Sequence, residues 1–163
     1  AVERARHVEE SADGRWVPQF LSLSAAIDSS RKDQTLNTPA LATIIMAERQ
    51  VRWLLERGGM DAVSAHCAQA SSLIYDWAKA NLAARPFVDN PAWRSPVTAT
   101  IEIDEAANAS ELAAHLRARG IVDIGAYRGV GANQLRIGTW PSVEVDDVEA
   151  LLASIDYCLE RVL

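Results

Sequence analysis

With 163 residues, 49% apolar and 23% charged, the chain has the makeup of a globular protein long enough to bury a core. A net charge of −6 without a basic run argues against nucleic acid as a partner. No apolar stretch approaches the ~18 residues a membrane-crossing helix needs, and no charged-then-apolar leader is visible, so no membrane partner and a cytoplasmic location are expected.

Residues 1–12, rich in Glu, Arg and Ala, read as the end of a helix stopped by Asp13-Gly14. Opening on Ala1 inside a helical pattern, without methionine, is expected of a processed or truncated product. Arg15 to Leu23 reads as an extended apolar stretch carrying Trp16, Val17, Phe20, Leu21 and Leu23, and Ser24 to Leu36 as a polar connection. These apolar residues have no compact element to receive them, so the segment is expected to pair with something outside the chain or to rearrange. From Pro39 a helix is predicted to run to Arg57, with Leu41, Ile44, Ile45, Val51, Leu54 and Leu55 as its apolar stripe. Thr38 suits its N-cap and Pro39 its first turn, where a missing N–H costs nothing. Gly58-Gly59 breaks that helix. In the next one Met60, Val63, Cys67, Ala70, Ile74 and Trp77 step by three and four, as a core stripe does.

Pro86, Pro91 and Pro96 mark an irregular connection. Val97 to Ile103 alternates strictly and predicts a half-buried strand. Asn108 and Glu111 have capping-box spacing ahead of Leu112, Ala113 and Leu116, and Gly120 stops that helix. Residues 121–124 read as a short strand, 125–133 as a glycine-bearing loop, and 134–139 as a strand with Leu135 and Ile137 facing the core and Arg136 opposite. A last helix is predicted from Val145 to Leu163. The order after the long helices is strand, helix, strand, strand, helix, which a small, largely antiparallel sheet with helices on one face satisfies.

The chemistry-bearing residues are few. His7, His66 and His115 fall on separate predicted helices, each without a second ligand at metal-site spacing, so no metal is expected. Cys67 and Cys158 suit small core positions in a reducing compartment. Gly129-Val130-Gly131 precedes a strand rather than joining strand to helix, which excludes a nucleotide loop. The segment Thr35-Leu36-Asn37-Thr38-Pro39-Ala40 leads into a helix N-terminus, whose free N–H groups and positive dipole end suit a phosphate. Arg128 and Arg136 are the pair that could grip a doubly anionic small molecule, since each guanidinium meets a carboxylate or phosphate with two parallel hydrogen bonds.

Taken together, several stretches resemble the phosphoserine aminotransferases, in particular the actinobacterial form. They are Gly14-Arg15-Trp16-Val17-Pro18, Phe20-Leu21-Ser22-Leu23, Gln34 to Ala40, Gly120-Ile121-Val122-Asp123, Tyr127-Arg128, Asn133-Gln134-Leu135-Arg136 and Pro141 to Val148. The resemblance implies the C-terminal portion of a fold-type-I, pyridoxal 5′-phosphate-dependent aminotransferase. The fold it implies is α/β, with α+β character in the small domain: long connecting helices followed by a small sheet. Residues 1–38 would be a remnant of the large cofactor domain, 39–81 the connecting and second helices, and 82–163 the small domain. It implies exchange of an amino group between glutamate and 3-phosphohydroxypyruvate, a step of serine synthesis, in a homodimer.

By the same resemblance Asn37 and Thr38 contact the cofactor phosphate of the partner subunit, Arg136 takes the substrate carboxylate and Arg128 helps hold the substrate phosphate. Two features depart from the family pattern. Tyr127 stands where much of the family has His, and the spacing from Arg128 to Arg136 is longer. The resemblance puts the Schiff-base lysine upstream of Ala1, and neither Lys32 nor Lys79 occupies its place. The chain alone is therefore expected to be inactive, with no catalytic residue of its own. Other readings are a stand-alone module binding an anion or a partner chain, and another aminotransferase of the same superfamily.

Overall fold

The computed structural model describes residues 2–11, 16–128 and 133–161. Contacts divide the chain into two units, Ala1–Trp53 and Leu54–Leu163.

In the first unit α1 (Val2–Glu10) packs against α2 (Leu23–Ser30), with a 3-10 turn over Gln19–Leu21 between them. Glu9 joins the two helices. Its carboxylate accepts from the Ser22 hydroxyl and the Ser24 N–H, both at 3.2 Å, and Ser22 in turn accepts from the Ala25 N–H at 3.0 Å as the N-cap of α2. These bonds, led by those from Ser24, hold the Glu9 carboxyl below the ordinary carboxylate range. Helix α2 corrects the expectation of a polar connection over 24–36. Its serines suggested a loop, but a Ser cap followed by Leu23, Ala25, Ala26 and Ile27 is enough to start a helix.

The third helix, α3, spans Leu41–Glu56 and starts two residues later than the sequence suggests. The Pro39 carbonyl accepts from the Leu41 N–H at 2.9 Å in a tight turn, so Ala40 supplies the first helical acceptor, to Ile44 at 3.0 Å. Thr38 therefore lies outside the helix and is not its cap. Trp16 is 82% exposed and Phe20 69%, and Leu21 and Leu23 are also exposed.

The second unit holds the core. Helix α4 (Gly59–Ala80) follows Gly58, whose φ of 98° is left-handed. Val63, Cys67, Ala70, Ile74 and Ala78 are buried along it. Met60, expected on this stripe, is 77% exposed, because it lies in the first turn, beyond the packed surface. Trp77 is half-buried and donates its indole N–H to Asp156 at 2.9 Å.

The sheet has the order β1 (Ala84–Pro86), β2 (Thr98–Ile103), β3 (Gln134–Gly138), antiparallel throughout. Strand β1 was not expected; its Pro86 is tolerable because β1 is an edge. Ala99, Ile101, Ile103, Leu135 and Ile137 face the helices, as alternation predicts. Residues 121–124 do not form the expected strand: Asp123 has a φ of 62°, which breaks an extended run. The observed order is thus strand, strand, helix, strand, helix. Helix α5 (Ala109–Arg117) is capped by Asn108, whose side-chain oxygen accepts from the N–H groups of Ser110 and Glu111. Helix α6 (Val145–Arg161) closes the unit, and Ile155 joins Ile74, Ile101, Leu112, Leu116 and Leu135 at full burial. Cys67 and Cys158 are buried free thiols. Among the described residues no helix is long and apolar enough to cross a membrane.

Candidate functional site

Arg136 owes its position to the alternation of β3. Leu135 and Ile137 anchor the strand in the core, which turns residue 136 to the other face, opposite Thr100 in register. Its backbone N–H donates to the Ile124 carbonyl at 2.9 Å, which fixes the 121–125 segment beside the strand. The side chain is half-buried, with its guanidinium carbon 4.9 Å from the centroid of the Tyr127 ring. Three other arginines of this unit are spent on carboxylates, Arg85 on Glu102, Arg57 on Glu144 and Arg117 on Asp123, while Arg94, over the Tyr75 ring, donates to the carbonyls of Val88 and Asp89. Among the described residues no carboxylate lies within ion-pair distance of Arg136 or of Arg128. A half-buried guanidinium without a counter-ion is a cation prepared for an anion from outside.

Arg128 is exposed, directly after Tyr127 on the loop. Of the glycines expected to soften that loop, Gly125 forms an isolated bridge with Leu135, whereas Gly129 and Gly131 lie outside the described residues, and so does Arg15. Tyr127 is a residue whose role sequence reasoning left open. The ring stacked on Arg136 gives it one, since it ties the arginine-bearing loop to the arginine-bearing strand. Its place next to Arg128 was the available signal.

Asn37 and Thr38 belong to the first unit, and both are exposed. Asn37 lines a hollow of about 410 Å³ with Trp16, Pro18, Gln19, Phe20 and Leu36. Among the described residues no acidic side chain lines it, and Asn37 and Gln19 supply neutral amide groups. Lys32 sits in the turn after α2 and is not part of this lining. Lys79 is on the exposed flank of α4, 2.9 Å from Asp76.

Among the histidines, His66 is committed to the Val143 carbonyl at 2.8 Å. No group of three or more His, Cys, Asp or Glu among the described residues is arranged to hold a metal ion. Glu144 accepts from Arg57 at 2.9 Å, and that hydrogen bond and charge hold its carboxyl below the ordinary range.

No protein-family model matches the chain. Over 151 residues it is 50% identical to a putative phosphoserine aminotransferase of Mycolicibacterium vanbaalenii, which covers 93% of this chain and 41% of the relative. A phosphoserine aminotransferase of Rhodococcus jostii is 46% identical over 161 residues, 99% of this chain and 43% of the relative. The phosphoserine aminotransferase structure from Bacillus circulans subsp. alkalophilus, at 25% identity, superposes with a TM-score of 0.76 over 86% of this chain and 38% of that one. The one from Cytophaga hutchinsonii, at 17% identity, shares the fold with a TM-score of 0.81 over 99% of this chain and 43% of that one. The chain thus spans about two fifths of the length of the curated relatives it matches.

Proposed function

We propose that this chain is the C-terminal part of a phosphoserine aminotransferase, a homodimeric enzyme that exchanges an amino group between L-glutamate and 3-phosphohydroxypyruvate, giving O-phospho-L-serine and 2-oxoglutarate. Residues 1–38 would then belong to the large cofactor domain, 39–81 to the connecting helices and 82–163 to the small domain, in a cytoplasmic protein. When bound, pyridoxal 5′-phosphate supplies the electron sink that lets the bond to the amino acid's α-hydrogen break.

Asn37 and Thr38 would hold that cofactor by its phosphate, with the Asn37 amide and the Thr38 hydroxyl as donors. The hollow beside Asn37 supports this fit, because no acidic side chain among the described residues lines it. Neither lysine suits the covalent attachment such enzymes need. Lys79 is paired with Asp76, and Lys32 lies on an exposed turn. The reacting amine is therefore assigned to the part of the enzyme beyond these 163 residues.

The observation that carries the site is Arg136, a half-buried guanidinium with an aromatic support and, among the described residues, no carboxylate partner. Its fork would take the α-carboxylate with two parallel hydrogen bonds and so fix which face of the substrate meets the cofactor. Arg128, on the loop tethered through Tyr127, would meet the anion at the other end. In phosphoserine this is a phosphate and in glutamate a side-chain carboxylate, so one pair of cations can serve both substrates.

In the complete enzyme Arg136→Lys keeps the charge but loses the fork. It should raise KM for both phosphoserine and glutamate by roughly 10- to 100-fold, the equivalent of about 1.5–3 kcal/mol for a charge-assisted hydrogen bond. Steady-state kinetics indistinguishable from wild type for both amino acids would contradict the assignment.

A further inference from the structure

We propose that Gln134 is a second substrate-binding residue, whose side-chain amide donates to the same carboxylate that Arg136 grips. This rests on the carboxylate role of Arg136 proposed above. Gln134 is 2% exposed, yet its Nε2 has no hydrogen-bond partner. A buried NH₂ group without an acceptor is costly, and native proteins rarely keep one unless a water or ligand completes it.

The position tells which ligand could do so. Gln134 and Arg136 are two residues apart on β3, so they share the face opposite Leu135 and Ile137 and lie roughly 6.6 Å apart along the strand. Both side chains are long enough to converge on one small anion. A carboxylate offers about four lone-pair positions, and a bidentate guanidinium uses two of them, which leaves an oxygen free to accept from an amide.

The neighbouring carboxylate does not complete it. Glu102 stands opposite Gln134 in register and its Oε2 is held by two Arg85 nitrogens at 2.6 and 2.7 Å, but it makes no hydrogen bond to the Gln134 amide. Asn133, next in sequence, spends its amide on backbone carbonyls. The Gln134 amide is thus the one buried side-chain donor among the described residues left without a partner, and it stands beside the cation that awaits an anion.

The test uses the complete enzyme with its cofactor and three variants: Gln134→Leu, Gln134→Glu and Arg136→Lys. KM and kcat for phosphoserine and glutamate are measured, along with the melting temperature with and without phosphoserine. Gln134→Leu should raise both KM values about tenfold or more with kcat little changed. It should also shrink the melting-temperature rise that phosphoserine gives, while the unliganded melting temperature holds or increases. Gln134→Glu should raise KM further, because its carboxylate repels the ligand. Wild-type KM values in Gln134→Leu, with Arg136→Lys impaired, would overturn the role of Gln134 alone. Wild-type KM values in all the variants would overturn the clamp itself. Should Gln134→Leu lower the unliganded melting temperature, Gln134→Met repeats the comparison at equal side-chain length. Lost stability with unmoved KM in both would assign the amide to structure and refute the proposal.

Discussion

Asn133 links three segments of the second unit through one side chain. Its amide nitrogen donates to the carbonyls of Ile103 at 3.0 Å, Asp104 at 3.1 Å and Ala107 at 2.7 Å, and its oxygen accepts from the Ala109 N–H at 2.7 Å. It thereby joins the end of β2 to the start of α5 just ahead of Arg136. Asn133→Ala should cost about 2–3 kcal/mol, since several backbone groups lose their partner, and urea denaturation would read this as a lower midpoint at unchanged slope. Glu144 is a second residue with a measurable signature. Its folded pKa lies below the ordinary 4.5 because Arg57 stabilises the ionised form. The contribution is complete above that ordinary value and is lost as pH falls from there through the folded pKa. Melting temperatures followed from pH 6 down to 3 should show a shallower acid decline in Glu144→Gln than in wild type, and identical declines would argue against the pair. At this scale the sequence carried the candidate cations but not their surroundings. Arg128 and Arg136 are visible as residues, while the stacking of Tyr127 and the unpaired amide of Gln134 depend on which strand lies beside which loop.

At the scale of elements, periodicity was legible wherever one face is buried. The alternation of 97–103 and 134–139 and the three-four spacing of α4 all reappear as core faces. Elements held by caps, edge pairing or a few hydrogen bonds, without a buried face, were not legible. Helix α2 depends on the Ser22 cap and Glu9, β1 is three residues at a sheet edge, and the apparent strand at 121–124 is interrupted by a left-handed Asp123. The start of α3 was misread because Pro39 turns its carbonyl back to Leu41. Gly58 tests the joint between α3 and α4. It combines a φ of 98° with an Ala62 Cβ only 2.8 Å from where its own Cβ would lie. Gly58→Ala should therefore destabilise the second unit by about 1–3 kcal/mol, seen as a lower melting temperature, whereas an unchanged value would mean the backbone relaxes there freely.

Across the whole molecule, apolar surface is distributed unevenly. The second unit buries a continuous core, while none of the helices α1, α2 and α3 contains a buried residue. Trp16, Phe20, Leu21 and Leu23 are exposed in the first unit, and the curated relatives are more than twice as long as this chain. The 44–50% identity to curated relatives agrees with the resemblance read from the ordered motifs, although single motifs such as Asn37-Thr38-Pro39 are weak on their own. The 163-residue chain mixed with pyridoxal 5′-phosphate should give no lysine adduct in its absorbance spectrum. A band abolished by Lys32→Ala or Lys79→Ala would show that the amine is here after all. The most direct measurement follows 2-oxoglutarate release when the complete gene product, loaded with cofactor, receives glutamate and 3-phosphohydroxypyruvate. Saturable release dependent on both compounds, with KM raised at least about tenfold by Arg136→Lys, is the predicted result. No release from a folded, cofactor-loaded enzyme would contradict it.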